Sequence, residues 1–403
     1  MKLLLKILMF LIVSLSAKAS DLASAPESFP YNGSKAVFID ILAGGYEIEM
    51  TPEVEERYYF YMNVKVTSTL RFRIDEPGYA LFDHVEEIQA ASVNGRPASV
   101  VEVASPDGVT AYRVVDQVLP AGMHTIVVSY ENRHRIDCTT QDFLFALSDL
   151  EDRGYLERYM ATNLIYDNYP ATMDIRLNSG ESGRRYKLYT NGRKTEQVIG
   201  SAHHWSIQFS RKFNASYPYL HIFPEDKFVE ETFVLPSQHG KEVPVTFYYR
   251  EYFDSEQVEN GLKWLRQSFG AIEKQLGPWP HDEILMYYSP GWGGMEYGNG
   301  AYRASYSQIE HEILHGFVGR GVYPVNGNAE WIDEAVVSWF SYSFPYTGEW
   351  DWVEKDRNEI SENPVNLWGE SQYRRMGNRL SYSRGTYLMG YLYKTIPQFP
   401  QKL

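Results

Sequence analysis

The feature that most restricts how this chain can fold is a pair of histidines spaced four residues apart. The stretch S-Q-I-E-H-E-I-L-H-G-F-V-G at 307–319 contains His311 and His315 in the pattern H-E-x-x-H. Residues four apart lie on one face of an α-helix, so both imidazoles can reach one metal ion at about 2.0 to 2.1 Å. Glu312 lies one step round the helix, where its carboxylate can contact water at the metal without being a ligand. The pattern therefore predicts a helix that carries two metal ligands and one base.

A third metal ligand is predicted on a second helix. The segment W-I-D-E-A-V-V-S-W-F begins at Trp331, has helical spacing and places Glu334 in its first turns, with eighteen residues between His315 and Glu334. Two histidines on one helix and a carboxylate on another form the ligand set of a catalytic zinc, whose fourth position is left for water. An isolated helical glutamate is usually solvated, but here the first motif calls for a third ligand. We therefore predict one Zn²⁺ per chain, bound by His311, His315 and Glu334.

Length and residue patterning predict two domains. At 403 residues, 44% hydrophobic and 22% charged, the chain has a globular composition and is too long for one ordinary core. From about residue 30 to 235, segments rich in aromatic and β-branched residues alternate with turn pairs such as Asn94-Gly95 and Asn191-Gly192, which is typical of strands. The clearest strand candidates are 58–66, 125–130, 171–177 and 205–209.

Beyond residue 240 the pattern becomes that of a helix. Apolar residues spaced four and three apart form one stripe, made by Val258, Leu262, Leu265, Phe269, Ile272 and Leu276. Asp254 or Ser255 can cap the start of this helix, and Gly277-Pro278 stops it. We therefore predict a β-rich domain at 20–238, followed by a domain with substantial helix at 239–403.

These motifs resemble the signature of the gluzincin aminopeptidases of the aminopeptidase N type, which is H-E-x-x-H, eighteen residues, and then glutamate in a W-x-x-E context. H-E-I-L-H-G-F-V-G at 311–319 and W-I-D-E-A at 331–335 are similar to the two zinc helices of that family. The family also has a G-x-M-E-N loop upstream, which G-G-M-E-Y at 293–297 resembles. Downstream it has a tyrosine in a Y-x-K-G setting, which Y-S-R-G at 382–385 resembles. All four motifs occur in the order that the family shows.

The resemblance implies a multidomain β plus α+β architecture, in which an amino-terminal β-sandwich or saddle domain precedes a thermolysin-like zinc metallopeptidase domain. Family members usually continue into a helical domain that covers the cleft. This chain ends 21 residues after Tyr382. We therefore expect the carboxy-terminal helical domain to be absent or truncated.

The resemblance also implies roles for the motif residues. Glu312 would act as the general base, and Tyr382 would donate a hydrogen bond to the oxyanion of the tetrahedral intermediate. Glu296 would bind the α-ammonium group of the substrate through a charge-assisted hydrogen bond and close off longer amino-terminal extensions.

The rest of the upstream loop would form the substrate-binding edge. Gly293 and Gly294 would let a peptide approach the backbone closely, and Met295 lies between them and the amine-binding glutamate. Tyr297 replaces the usual asparagine of the family, so we expect it to reshape the first substrate pocket. Ala335 replaces a glycine after the third ligand, and Phe317-Val318 replace Trp-Phe. The loop is also similar to that of the glycyl aminopeptidases, a neighbouring family.

The resulting prediction is a zinc aminopeptidase that acts on peptides with a free amino terminus. The alternatives are a glycyl-aminopeptidase-like enzyme, a zinc endopeptidase, and a non-catalytic exported peptide-binding module that kept zinc and lost turnover. The intact Glu312 argues against the binding module, and the expected absence of a carboxy-terminal domain argues for it. The preferred amino-terminal residue and the oligomeric state stay open.

Charge and the amino terminus bear on partners and location. The net charge of −14 argues against nucleic acid or an anionic membrane surface as a partner. Lys2 and Lys6 accompany an apolar run at 7–13, which leads to the small-residue pattern Ala17-Lys18-Ala19. We therefore predict a signal peptide at 1–19 and an exported protein, periplasmic or secreted, with no membrane anchor after cleavage.

Overall fold

The computed structural model describes residues 25–56, 59–108, 111–136, 142–145, 159–163, 167–178, 184–214, 217–289, 291, 293–320, 331–343, 373, 382 and 385–396. The predicted signal peptide and positions 383–384 of the tyrosine motif lie outside these residues. Within the described ranges, no helix is both long and apolar enough to cross a membrane.

Before residue 225, the regular elements among the described residues are strands. In chain order they are β1 (Phe29–Tyr31), β2 (Ser34–Phe38), β3 (Asp40–Glu56), β4 (Tyr59–Ile74), β5 (Gly78–Phe82), β6 (Ala90–Val93), β7 (Arg96–Ala98), β8 (Val100–Ala104), β9 (Ala111–Leu119), β10 (Gly122–Ile136), β11 (Phe143–Leu144), β12 (Tyr169–Asn178), β13 (Tyr186–Thr190), β14 (Arg193–Ile199), β15 (Ala202–Phe213) and β16 (Leu220–Pro224). The four strand candidates of the sequence coincide with β4, β10, β12 and β15, so the β-rich character of this part is confirmed.

These strands form three sheets in the part of the chain that the structure describes. The largest has the order β14-β15-β12-β3-β4-β10-β6-β7, the second β1-β2-β5-β9-β8, and the third β11-β16-β13. Along β12, Met173, Ile175 and Leu177 are buried, and the residues between them are partly or fully exposed. This alternation is the expected pattern for a sheet with one face on the core.

A fourth sheet follows and carries the candidate site. Its strands are β17 (Phe228–Pro236), β18 (Glu242–Arg250), β19 (Ile284–Tyr288), β20 (Gly294–Tyr297) and β21 (Ala301–Ala304), in the order β17-β18-β19-β21-β20. β20 lies at the edge and pairs antiparallel with β21. β17 precedes residue 238 and β18 follows it, and the two pair antiparallel. The domain boundary at 238 stays a prediction.

The fourth sheet is covered on both faces. Ile284, Met286 and Tyr288 of β19 pack into a core shared with the helices, whereas Leu285 and Tyr287 pack into the core of the preceding β part. A strand buried on both faces is apolar at every position, as β19 is. The β part and the helices therefore contact opposite faces of one sheet.

The helices among the described residues are α1 (Ser255–Leu276), α2 (Ile309–His315), α3 (Trp331–Ser343) and α4 (Thr386–Thr395), with short 3₁₀ turns at Glu225–Lys227, Gly298–Gly300 and Tyr306–Gln308. The predicted helix is confirmed as α1, and Asp254 caps it: its carboxylate accepts from Gln257 N–H at 2.8 Å. Gly277, with φ +99°, ends it. The described part of the chain is mostly β-sheet with few helices, which confirms the coarse fold prediction.

Candidate metal centre

Helix α2 holds the two histidines close together. Ile309, Ile313 and Leu314 are buried in the core shared with α1 and α3, which fixes the orientation of this short helix. The Nε2 atoms of His311 and His315 lie 3.1 Å apart. The structure thus places both imidazoles on one side of the helix, as their four-residue spacing requires.

Helix α3 brings Glu334 to the same point. Glu334 Oε2 lies 3.2 Å from His311 Nε2 and 3.6 Å from His315 Nε2. Tetrahedral ligands about 2.0 to 2.1 Å from a zinc ion stand roughly 3.3 Å from one another. The three ligand atoms therefore have a spacing that fits zinc. His311 is the most exposed of the three side chains, at 14%, so the site opens towards solvent beside it.

A carboxylate fixes the orientation of His315. The Nδ1 atom of His315 donates to Asp333 Oδ1 at 2.6 Å, which leaves Nε2 on the side of the metal site. Burial by itself lowers the pKa of His315, but the carboxylates of Asp333, Glu296 and Glu334 outweigh it and raise that pKa well above the ordinary value. Because a metal ligand must be neutral imidazole, protons compete with the metal as pH falls.

The close approach of Asp333 depends on a glycine. Gly319 has φ +93°, and a Cβ added there would lie 2.0 Å from Asp333 Oδ2. Position 319, four residues after the end of α2, must therefore lack a side chain for Asp333 to reach His315.

Strand β20 runs past the metal site with alternate residues on its two faces. Gly294 and Glu296 face α2, whereas Met295 and Tyr297 face the core of the β part. The ring of Tyr297 packs edge-on against Tyr219, with centroids 4.7 Å apart. The strand period turns the ring of Tyr297 into the core, and an influence of this residue on the first substrate pocket stays a prediction.

Glu312 lies beside this strand. It is 3% exposed, and a Cβ added to Gly294 would lie 2.0 Å from Glu312 Oε1. Gly294 therefore gives space to the carboxylate that the sequence predicts to be the base. Gly293, with φ +103°, accepts a hydrogen bond from Ser305 N–H through its carbonyl oxygen at 3.1 Å, which ties the start of β20 to the segment before α2.

Glu296 lies behind His315. Its Oε1 atom is 3.8 Å from His315 Nδ1, the nitrogen that faces away from the other two ligand atoms. The same oxygen is 2.8 Å from a guanidinium nitrogen of Arg320, and both side chains are buried. The structure therefore places the predicted amine-binding residue next to the candidate metal ligands and in an ion pair.

Tyr382 contacts Glu334, the predicted third ligand. Its hydroxyl donates to Glu334 Oε1 at 2.7 Å, and its ring stacks on that of His311 with centroids 6.2 Å apart. The hydroxyl of Thr386 on α4 donates to the carbonyl oxygen of Tyr382. With Oε1 held by Tyr382, the Oε2 atom of Glu334 is the one directed at the histidines.

Two residues of this centre were not predicted from the sequence, Asp333 and Arg320. Asp333 could have been found, since it precedes the third ligand in W-I-D-E and an imidazole ligand commonly donates its second N–H to a carboxylate. Arg320, five residues after His315, carries no comparable signal.

The fold is that of M1 zinc metallopeptidases of known structure. The M1 zinc metallopeptidase from Deinococcus radiodurans superimposes with a TM-score of 0.60 at 15% identity, over 90% of this chain and 85% of that one. A variant of the enzyme from that organism, bound to a Tyr-Ser-Ala substrate, superimposes with a TM-score of 0.60 at 13% identity, over 91% of this chain and 86% of that one. A two-domain M1 zinc metallopeptidase variant bound to L-arginine superimposes with a TM-score of 0.59 at 15% identity, over 93% of this chain and 87% of that one. No family model matches the sequence, and no curated protein matches it. At these identities the likeness shows the fold alone.

Proposed function

We propose that this chain is a zinc-dependent peptidase. The observation that carries the proposal is the convergence of His311, His315 and Glu334 at zinc-ligand spacing. A further carboxylate, Glu312, stands between the two histidines on α2. Two neutral nitrogens and one carboxylate oxygen are a donor set that suits Zn²⁺. The fold shared with M1 zinc metallopeptidases also supports a zinc-dependent peptidase.

Each side chain can be given a task. A zinc ion bound at this centre would supply Lewis acidity, which acidifies water and polarises a substrate carbonyl. Glu312 would take a proton from the attacking water and pass it to the leaving nitrogen. Tyr382 would orient Glu334 in the resting site and, on substrate binding, offer its hydroxyl to the oxyanion. Asp333 would hold the His315 ring in its binding orientation.

In its finer form, the proposal is hydrolysis of the amino-terminal peptide bond. The G-x-M-E-like strand β20 runs beside the metal site, where a peptide amino terminus could bind. The similar structures bound to a Tyr-Ser-Ala substrate and to L-arginine also support small peptides and amino acids as ligands. Zinc endopeptidase action is the second candidate. It is favoured by the pairing of Glu296 with Arg320, because an α-ammonium group would have to compete with the guanidinium for that carboxylate.

The test combines metal analysis with matched peptides. We expect about one zinc per chain and hydrolysis of a peptide set that removal of the metal abolishes. Each peptide is supplied with a free and an acetylated amino terminus, and products are identified by mass spectrometry. An aminopeptidase releases single amino acids from the free peptides and leaves the acetylated ones intact. Internal cuts at equal rates in both sets would establish the endopeptidase instead, and zinc without any turnover would establish a binding module.

We also propose that the protein acts after export, because its first nineteen residues have the pattern of a signal peptide. Mass spectrometry of the mature protein should give an amino terminus at or near Ser20. An intact Met1 to Ala19 segment in periplasmic or secreted material would contradict export by this route.

A further inference from the structure

One asparagine of the β part bonds to the end of the strand that runs past the metal site. Asn191 lies between β13 and β14, in the Asn191-Gly192 pair that the sequence predicts to be a turn. Its Nδ2 atom donates to the carbonyl oxygen of Gly298 at 2.7 Å, and Gly298 directly follows β20. The asparagine is buried. The connection between two sheets of the β part is therefore bonded to the fourth sheet.

The amide group of Asn191 is also fixed by the segment that leads into β16. Its Nδ2 atom donates a second hydrogen bond, to the carbonyl oxygen of Tyr217 at 2.8 Å. Its Oδ1 atom accepts from the backbone N–H of Tyr219 at 2.8 Å. Two donors and one acceptor in one short side chain are what an amide offers and a carboxylate does not. The three hydrogen bonds therefore call for asparagine at this position.

Gly298 meets the same segment through its own backbone. Its N–H donates to the carbonyl oxygen of Tyr217 at 2.8 Å. A Cβ added to Gly298 would lie 2.1 Å from the ring of Tyr217, so this approach requires a glycine. The carbonyl oxygen of Gly298 also accepts from the N–H of Ala301, which closes the turn between β20 and β21. Both backbone polar groups at the end of β20 are thus bonded to the β part.

These bonds act on a strand that has little other support. β20 is the edge strand of the fourth sheet, and β21 is the strand it pairs with. A strand paired on one side opens more easily than an inner strand. The start of β20 lies against the proposed base, since a Cβ on Gly294 would reach Glu312 Oε1. The proposed zinc ligands lie on α2 and α3, which pack in the core on the opposite face of the sheet.

We propose that Asn191 is a positioning residue for the substrate. It holds β20, and through β20 the peptide, at a fixed place relative to the metal site and Glu312. The β part thereby completes the site without contributing a metal ligand. The inference rests on the proposed function in taking β20 as the peptide-binding edge. Loss of the asparagine amide should therefore change peptide binding and leave metal binding as it is.

The test is Asn191→Asp, which keeps the size of the side chain and the acceptor for Tyr219. Its second oxygen replaces the donor and faces two carbonyl oxygens. We expect KM to rise and kcat/KM to fall about 10- to 100-fold, the scale of loss that a small misplacement of substrate causes. Zinc affinity, measured by competition with a chromophoric chelator, and the visible spectrum of the Co²⁺-substituted protein should match wild type. A merely structural role would lower the active fraction, and hence the apparent kcat, at unchanged KM.

Two further variants support this comparison. Gly298→Ala disturbs the same contact from the other side, because its methyl group must displace the ring of Tyr217. It should raise KM as Asn191→Asp does, again with zinc affinity unchanged. Leu81→Ala is the matched control, since it opens a cavity in the core of the second sheet, apart from the core that contains Tyr297. It should lower the melting temperature and leave KM at the wild-type value.

Amide hydrogen exchange tests the contact without any turnover. Exchange over residues 294–298, followed by mass spectrometry, should be about 10- to 100-fold faster in Asn191→Asp, the factor that corresponds to two hydrogen bonds. Exchange over 309–315 should stay at the wild-type rate. A wild type that hydrolyses no peptide would refute the proposed function, and the exchange rates would still decide whether Asn191 holds β20. Wild-type exchange over 294–298, an unchanged KM or a loss of zinc affinity in Asn191→Asp would overturn the positioning role.

Discussion

Glu312→Gln is expected to lower kcat by about 10²- to 10⁴-fold while one zinc stays bound, since that is the usual contribution of a general base. Glutamine keeps the shape of the side chain but cannot accept the proton of the attacking water. Glu312 lies beside the three proposed ligands and is not one of them, so the metal should remain. Zinc content per chain and kcat on an amino-acid amide are measured on the same preparation.

Gly294→Ala provides an independent check on the same carboxylate. A Cβ at Gly294 would lie 2.0 Å from Glu312 Oε1, so the methyl group must displace the carboxylate. We expect a loss of kcat with zinc retained, although the base itself is still present. Full activity in Glu312→Gln, or loss of zinc from it, would show that the residue is not the base.

Glu334→Ala is expected to remove most of the zinc. Glu334 is the one charged member of the proposed ligand set, and its loss leaves two imidazoles with no carboxylate at the metal. The dissociation constant should rise by more than the roughly 10- to 100-fold seen when only a partner behind a ligand is lost. Zinc per chain is measured after dialysis against a chelator, and turnover should fall in proportion to occupancy.

Asp333→Asn is the matched control for that experiment, because it changes the neighbouring residue of the same helix, whose carboxylate accepts from His315 Nδ1. Asp333→Asn should weaken zinc binding by about 10- to 100-fold, which is less than the effect of Glu334→Ala. If Glu334→Ala keeps its zinc and Asp333→Asn or Glu312→Gln loses it, the ligand set is wrong.

The local features of this protein were predicted from its sequence. Helix α1 follows from apolar residues every three or four positions and from Asp254 before them, because these signals act within one or two turns of the chain. The two histidines of α2 follow from the same helical period, since four residues return the chain to one face. Glu334 was predicted to be the third ligand from its distance along the chain after His315, and α3 places its carboxylate beside the two histidines. Strands β4, β10, β12 and β15 were visible because residue type and turn residues are also local signals.

Tertiary structure decided the surroundings of these residues, because contacts between distant segments leave no local pattern. Glu296 and Arg320 meet only because edge strand β20 docks against the end of α2, and the pairing register with β21 turns Glu296 towards His315 and Tyr297 into the core. A shift of one residue in that register would exchange the two faces and leave the sequence motif unchanged. The motif therefore determined which side chains stand near the candidate metal site. The docking of β20 between two cores determined that Glu296 forms an ion pair with Arg320 beside His315.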